Sequence, residues 1–215
     1  MYGRHPALPV NTLPSLYVIA DYDYVGDPSR WHTLLQQLNQ CSGIVIQVRA
    51  HQLRADDTQG FATIAQQARQ WLADQPHLFL NGDPELAQEL NYAGCHLPQY
   101  MTERSLSARP ALLSAATHDI TSAQQAADVG ADALLFSPVY RPNSKAGTAA
   151  GLPALASLCA AISKPVYAMG GILPERVAPC RAAGAYGVAV LGDIADAQDP
   201  LAHISTYQEL LADEY

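Results

Sequence analysis

The chain has no basic cluster. Its 12 lysines and arginines are scattered among 20 aspartates and glutamates, giving a net charge of −8 and a pI of about 5.2. That excludes nucleic acid as the main partner. It leaves room for a small anionic substrate, which backbone N–H groups and one or two local cations suffice to hold. Cysteine is sparse: Cys41, Cys95, Cys159 and Cys180 form no C-x-x-C pair, so neither a zinc framework nor a disulfide scaffold is expected. Buried, reduced thiols in a cytoplasmic protein are the expectation instead. No run of eighteen apolar residues exists, and the start of the chain lacks a basic region followed by an apolar one. Neither a membrane partner nor a secretory signal is therefore expected. Nor does a G-x-G-x-x-G follow the first apolar run, as a dinucleotide-binding open sheet would have it.

What is present is a pattern of alternating units. Hydrophobic residues make up 49% and charged residues 15% of 215 positions, enough for one large buried core. Short apolar runs at 15–20, 43–49, 78–81, 95–97, 111–116, 133–136, 165–169 and 187–191 read as eight strands. Between them lie helical patterns: Trp31, Leu34, Leu35 and Leu38 at i, i+3, i+4 and i+7, then 61–72, and a helix opened by Pro84. A weaker turn covers 102–108. Four more helices complete the pattern, one capped by Thr121, then 152–162, one running to Ala183, and 201–211. Strands that are apolar on both faces predict a parallel sheet covered by helices. Eight such units predict a single (β/α)8 TIM barrel over residues 15–215, behind an irregular arm at 1–14. Trp31 and Trp71 are the candidates for an interface, should the barrel form a homo-oligomer.

The stretch 130–151, GADALLFSPVYRPNSKAGTAAG, concentrates the chemistry. Gly130 suits the positive φ that ends a helix. A buried strand then runs into a loop holding Ser137, Tyr140, Arg141 and Lys145. In a barrel the C-terminal strand ends share one mouth. There the pattern also places Gln47 and Arg49 after strand two, Asn81 after three, His96 in four and His118 after five. Gly170 and Gly171 follow strand seven, and Leu191 and Gly192 end strand eight. Glycines and helix starts after strands seven and eight suit a phosphate. Arg49, inward at a strand end, suits a carboxylate or phosphate. His96 reads as a packed strand-end residue and His51 as a solvated one. Asp21 and Asp23 suit loop capping as well as ligand contact.

Nine segments, taken in order, resemble the thiamine phosphate synthase/TenI superfamily from Leu16 to about Ala202. They are 17–21, 47–49, Asn81, 96–97, 115–118, 130–132, 136–140 with Lys145, 165–172 and 187–190. The resemblance implies the barrel fold and a phosphorylated thiazole as substrate, bound by Gln47, Arg49, Asn81, Ser137 and Lys145, with Gly170, Gly171, Leu191 and Gly192 at the phosphate. The family's synthases expel pyrophosphate held by Mg²⁺, whose aspartates lie after strands three and four. Gly82 and Met101 stand at those two positions here, and neither side chain supplies the oxygen that Mg²⁺ needs. His51 stands where the family has a lysine, and Ala116 where it has a serine.

The sequence is similar at these places to the TenI-like branch, whose members are thiazole tautomerases working without metal. That likeness assigns His118 as the acid/base, which imidazole chemistry permits. A metal-independent tautomerase with no cofactor is thus the expectation. A divergent, Mg²⁺-dependent thiamine phosphate synthase and a non-catalytic binder of phosphorylated ligands are the alternatives.

Overall fold

The computed structural model describes residues 13–103, 106, 108–141 and 148–212. Eight parallel strands close into a barrel in sequence order. They are β1 Leu16–Asp21, β2 Ile44–Arg49, β3 Leu78–Asn81, β4 Gly94–Leu97, β5 Leu112–Thr117, β6 Ala133–Phe136, β7 Val166–Met169 and β8 Gly187–Val190. The expected (β/α)8 barrel is the fold. Alternation along each strand divides its apolar residues between two cores, as the pleat requires. Tyr17, Ile19, Val45, Phe79, Leu135 and Tyr167 point into the barrel. Leu16, Val18, Ile46, Leu80, Leu134 and Val188 point outward and pack beneath the helices.

The barrel floor is aromatic. Tyr17 meets Tyr167 edge-on at 5.4 Å and Phe79 at 6.0 Å between centroids. Tyr167 donates its hydroxyl to the Pro14 carbonyl at 2.6 Å, and Tyr186 donates to that of Leu13. Residues 13 and 14 therefore seal the floor. The rest of the expected arm, 1–12, lies outside the described residues.

The helices are α1 Tyr22–Val25, α2 Pro28–Leu38, α3 His51–Asp56, α4 Thr58–Trp71, α5 Pro84–Glu89, α6 Ile120–Asp128, α7 Gly151–Ala161, α8 Val177–Ala182, α9 Gly192–Ala195 and α10 Pro200–Ala212. Aspartate is the usual cap: Asp27, Asp57, Asp83 and Asp119 accept from backbone N–H groups of the helices they precede. Asp119, not Thr121, caps α6, because it forms a reciprocal capping box with Ser122. The helix after β7 does not run unbroken to Ala183. A 3-10 turn, Pro174–Arg176, precedes α8, and Pro179, lacking an N–H, is accommodated only in the first turn of α8. The turn after β4 is 3-10 and sits earlier than expected, at Gln99–Met101. Gly130 takes φ +82° after α6, as the pattern requires.

Trp31 is buried and meets Tyr22 edge-on at 5.6 Å. Trp71 lies 4.2 Å from the His32 ring. Burial removes Trp31 as an interface anchor, whereas Trp71 stays half-exposed. All four cysteines are unpaired; Cys95 and Cys180 are buried, whereas Cys41 and Cys159 are half-exposed. Among the described residues no helix is long and apolar enough to cross a membrane.

Candidate active site at the barrel mouth

The register puts Asp21, Gln47, Arg49, Asn81, His96 and Ser114 on the inner face, in neighbouring rows. Asp21 is level with Arg49, Asn81 with His96, and His96 with Ser114. Each polar group finds a partner, as burial demands. The Asn81 amide donates to Gln47 Oε1 at 3.0 Å, with both side chains buried. Arg49 pairs with Asp21 at 3.3 Å. Burial pushes the Asp21 carboxyl above its ordinary value, with Arg49 pulling the other way. Asp21 also caps α1, and Asp23 accepts from the N–H groups of Gln52 and Leu53 at the start of α3. Both aspartates thus cap helices, and Asp21 also pairs with Arg49.

His96 is buried, with Nδ1 2.9 Å from Ser114 Oγ, which in turn lies 3.1 Å from the Tyr17 hydroxyl. Burial, aided by the nearby Arg49 charge, drives its pKa from 6.5 down to about 3. It packs as a neutral strand-end residue, as the sequence suggests. Because the folded state resists protonation, this histidine's contribution is complete above pH 6.5 and is lost as pH falls toward 3. Chemical denaturation between those limits is expected to show stability falling by up to about 1.4 kcal/mol per pH unit. His96→Asn, which cannot titrate, is expected to flatten that slope. An unchanged slope would contradict a neutral His96.

His118 differs. Its ring is exposed, and Nδ1 lies 2.6 Å from the Ser137 carbonyl oxygen. A carbonyl only accepts, so Nδ1 carries a proton, and the lone pair of the neutral ring is at Nε2. The His118 N–H donates to Ser122 Oγ at 3.0 Å, which ties the residue to the capping box of α6. Ser137, expected to touch substrate, thus holds the histidine through its main chain. Lys145, expected nearby, lies outside the described residues. His51 is exposed at the start of α3, in keeping with a solvated position.

Gly170 and Gly171 have φ of +95° and +60°. Their backbone closely approaches the chain's own loop after β6. A Cβ on Gly170 would lie 2.8 Å from Pro138 Cα, and one on Gly171 2.8 Å from the Arg141 carbonyl oxygen. Tyr140 N–H donates to Gly170 O at 3.0 Å. Arg176 lies 4.6 Å above the Tyr140 ring and donates to Gly171 O. At the end of the neighbouring strand β8, Leu191 precedes α9 and Gly192 starts it. The Tyr24 hydroxyl would be 3.0 Å from a Cβ on Gly192.

The implied metal position does not fit a metal. Gly82 is buried with φ +77°, and a Cβ there would lie 3.0 Å from Arg54 Cζ. Arg54 donates from Nη1 to Gly82 O at 3.1 Å and from Nη2 to the Tyr100 hydroxyl at 2.6 Å. Met101 packs against the outer apolar core. Asp83, one residue along, spends its carboxylate on the N–H of Leu86 at 2.9 Å. Among the described residues, no group of three or more histidine, cysteine, aspartate or glutamate side chains could hold a metal ion. Sequence reasoning missed Arg54. The available signal was a cation one turn beyond His51, in a chain whose strand-three loop has glycine in place of the family's aspartate.

Fold and site define a (β/α)8 barrel with its polar side chains gathered at the C-terminal ends of the strands, the face that carries active sites in such barrels. The family model for thiamine monophosphate synthase (TMP-TENI) matches residues 16–194, and the chain belongs to that family. A thiamine-phosphate synthase from Methanoculleus marisnigri is 33% identical over 205 residues, covering 92% of this chain and 95% of that protein. One from Xanthomonas campestris is 33% identical over 136 residues, 61% of this chain and 66% of that protein. Among solved structures, the thiamine phosphate pyrophosphorylase from Pyrococcus furiosus superposes with a TM-score of 0.71 at 19% identity, covering 94% of this chain and 96% of that one. At that identity the likeness concerns the fold.

Proposed function

We propose that this protein is an enzyme of thiamine biosynthesis that binds a phosphorylated thiazole in the barrel mouth and moves a proton on its ring through His118. The observation that carries this reading is the fixed tautomer: Nδ1 is committed to the Ser137 carbonyl at 2.6 Å, and Nε2 is left as the base. The step balances as an isomerisation. His118 Nε2 takes a proton from one ring position and returns it at another, so no oxidant, leaving group or metal is needed. Gly170, Gly171, Leu191 and Gly192 are assigned to the phosphate. Gln47, Arg49, Asn81, Ser137 and Lys145 are assigned to the remainder of the substrate, with Arg49 suited to a carboxylate.

The names of the relatives favour a second reading, thiamine phosphate synthesis. It uses the same thiazole phosphate but displaces pyrophosphate from an aminopyrimidine partner. One pair of assays separates the two. Proton NMR of the purified protein with a thiazole carboxylate phosphate is expected to show conversion to the aromatic isomer in the presence of EDTA. Incubation with aminopyrimidine pyrophosphate, thiazole phosphate and Mg²⁺ is expected to give no thiamine phosphate. Product in the second assay alone would replace the first reading with the second.

A further inference from the structure

Among the described residues, Arg54 is a cation without a counter-charge. No carboxylate of theirs lies within 4 Å of its guanidinium, the ion pairs being Arg49–Asp21 and His203–Asp193. Its two described hydrogen bonds go to uncharged oxygens, Gly82 O and the Tyr100 hydroxyl. Its Nε is buried and has no protein partner among them. Guanidinium has five N–H donors, and a buried donor left unmatched is costly. The group is also held in place. It bridges the loops after β3 and β4 from α3, which itself follows β2. Gly82 leaves open the space that the guanidinium fills, since a Cβ would lie 3.0 to 3.2 Å from three of its atoms. Arg54 thus puts a positive charge beside the strand-three position where the family's metal-holding aspartate is absent.

We propose that Arg54 is a built-in replacement for a divalent cation: it binds a phosphate or diphosphate group of a ligand on the β3–β4 side of the mouth, without metal. Planar N–H donors match phosphate oxygens geometrically, and a fixed side chain spends little entropy on holding them. The proposal is independent of the reaction run at His118.

The test is calorimetric titration of the full chain with inorganic pyrophosphate, in EDTA and again in excess Mg²⁺. The wild-type protein is expected to bind pyrophosphate in EDTA, with no gain from Mg²⁺. Arg54→Gln is expected to weaken that binding at least about tenfold, as loss of a charged hydrogen-bond donor does, and Arg54→Lys to restore part of it. Mn²⁺ added alone is expected to keep its free-ion EPR signal. Pyrophosphate binding that needs Mg²⁺, absence of binding in both media, or an unaffected Arg54→Gln would each overturn the proposal. Should Arg54→Gln fail to fold, Tyr100→Phe, which frees the guanidinium from its anchor, is expected to weaken binding several-fold. The wild-type comparison of EDTA with Mg²⁺ decides independently. Turnover enters none of these readouts, so failure here and failure of the proton-transfer reading are distinguishable.

Discussion

Replacing His118 with asparagine is expected to lower kcat for thiazole isomerisation by about 10²- to 10⁴-fold, the usual contribution of one acid/base group. Asparagine is the informative substitution because its amide can still donate to the Ser137 carbonyl, so the loop after β6 keeps its anchor while the base is lost. The residue's backbone bond to Ser122 Oγ does not depend on the side chain. KM is therefore expected to stay within a few-fold. Full activity of His118→Asn would remove the histidine from the mechanism. A large rise in KM with kcat unchanged would make it a binding residue instead.

The largest expected effect on stability is at Gly187, where β8 closes against the start of β1. A Cβ at this position would lie 2.0 Å from the Ser15 carbonyl oxygen and 2.7 Å from its carbon. The same carbonyl accepts from Val188 N–H at 3.0 Å. Backbone cannot step aside as a flexible side chain can, so Gly187→Ala must separate the strands that complete the ring. Overpacking of this kind costs about 3 kcal/mol or more. For a chain of this size that corresponds to a fall in Tm of roughly 6–12 °C. The φ of Gly187 lies outside the left-handed region, so the cost is steric. A denaturant midpoint within error of the wild type would show that the barrel is not sealed as tightly here as the distances imply.

The strands were legible because runs such as Ile44–Ile46 and Ala133–Phe136 are apolar on both faces, as a covered parallel strand is. Of the five helices of six residues or fewer, α1, α3 and α9 were not. Four to six residues are too few to display a 3.6-residue period, and the start of α3 is held by a group from elsewhere, the Asp23 carboxylate. At the site, the strand-end residues could be placed by counting, since a barrel turns register into proximity. His96 with Ser114 follows from the register itself, whereas Gln47 is level with Phe79 and reaches Asn81 diagonally. Arg54 could not be found so, because its meeting with Gly82 joins positions 28 apart through loop geometry. Gly170 and Gly171 show the converse limit. Their need for glycine was visible, but the neighbour imposing it is the loop after β6. Trp31 misled for a simpler reason: a large apolar side chain on a helical stripe faces the core first.

The serine inside β5 ties the floor of the barrel to its mouth. Tyr17 is fully buried, its hydroxyl lies 3.1 Å from Ser114 Oγ, and that oxygen lies 2.9 Å from His96 Nδ1. With Tyr17 as the donor, Ser114 keeps its own hydrogen free for His96 Nδ1. In that arrangement His96 carries its proton at Nε2, the opposite tautomer from the one the Ser137 carbonyl selects for His118. A hydroxyl chain from the floor thus reaches the histidine of β4, while the histidine after β5 answers to a backbone carbonyl.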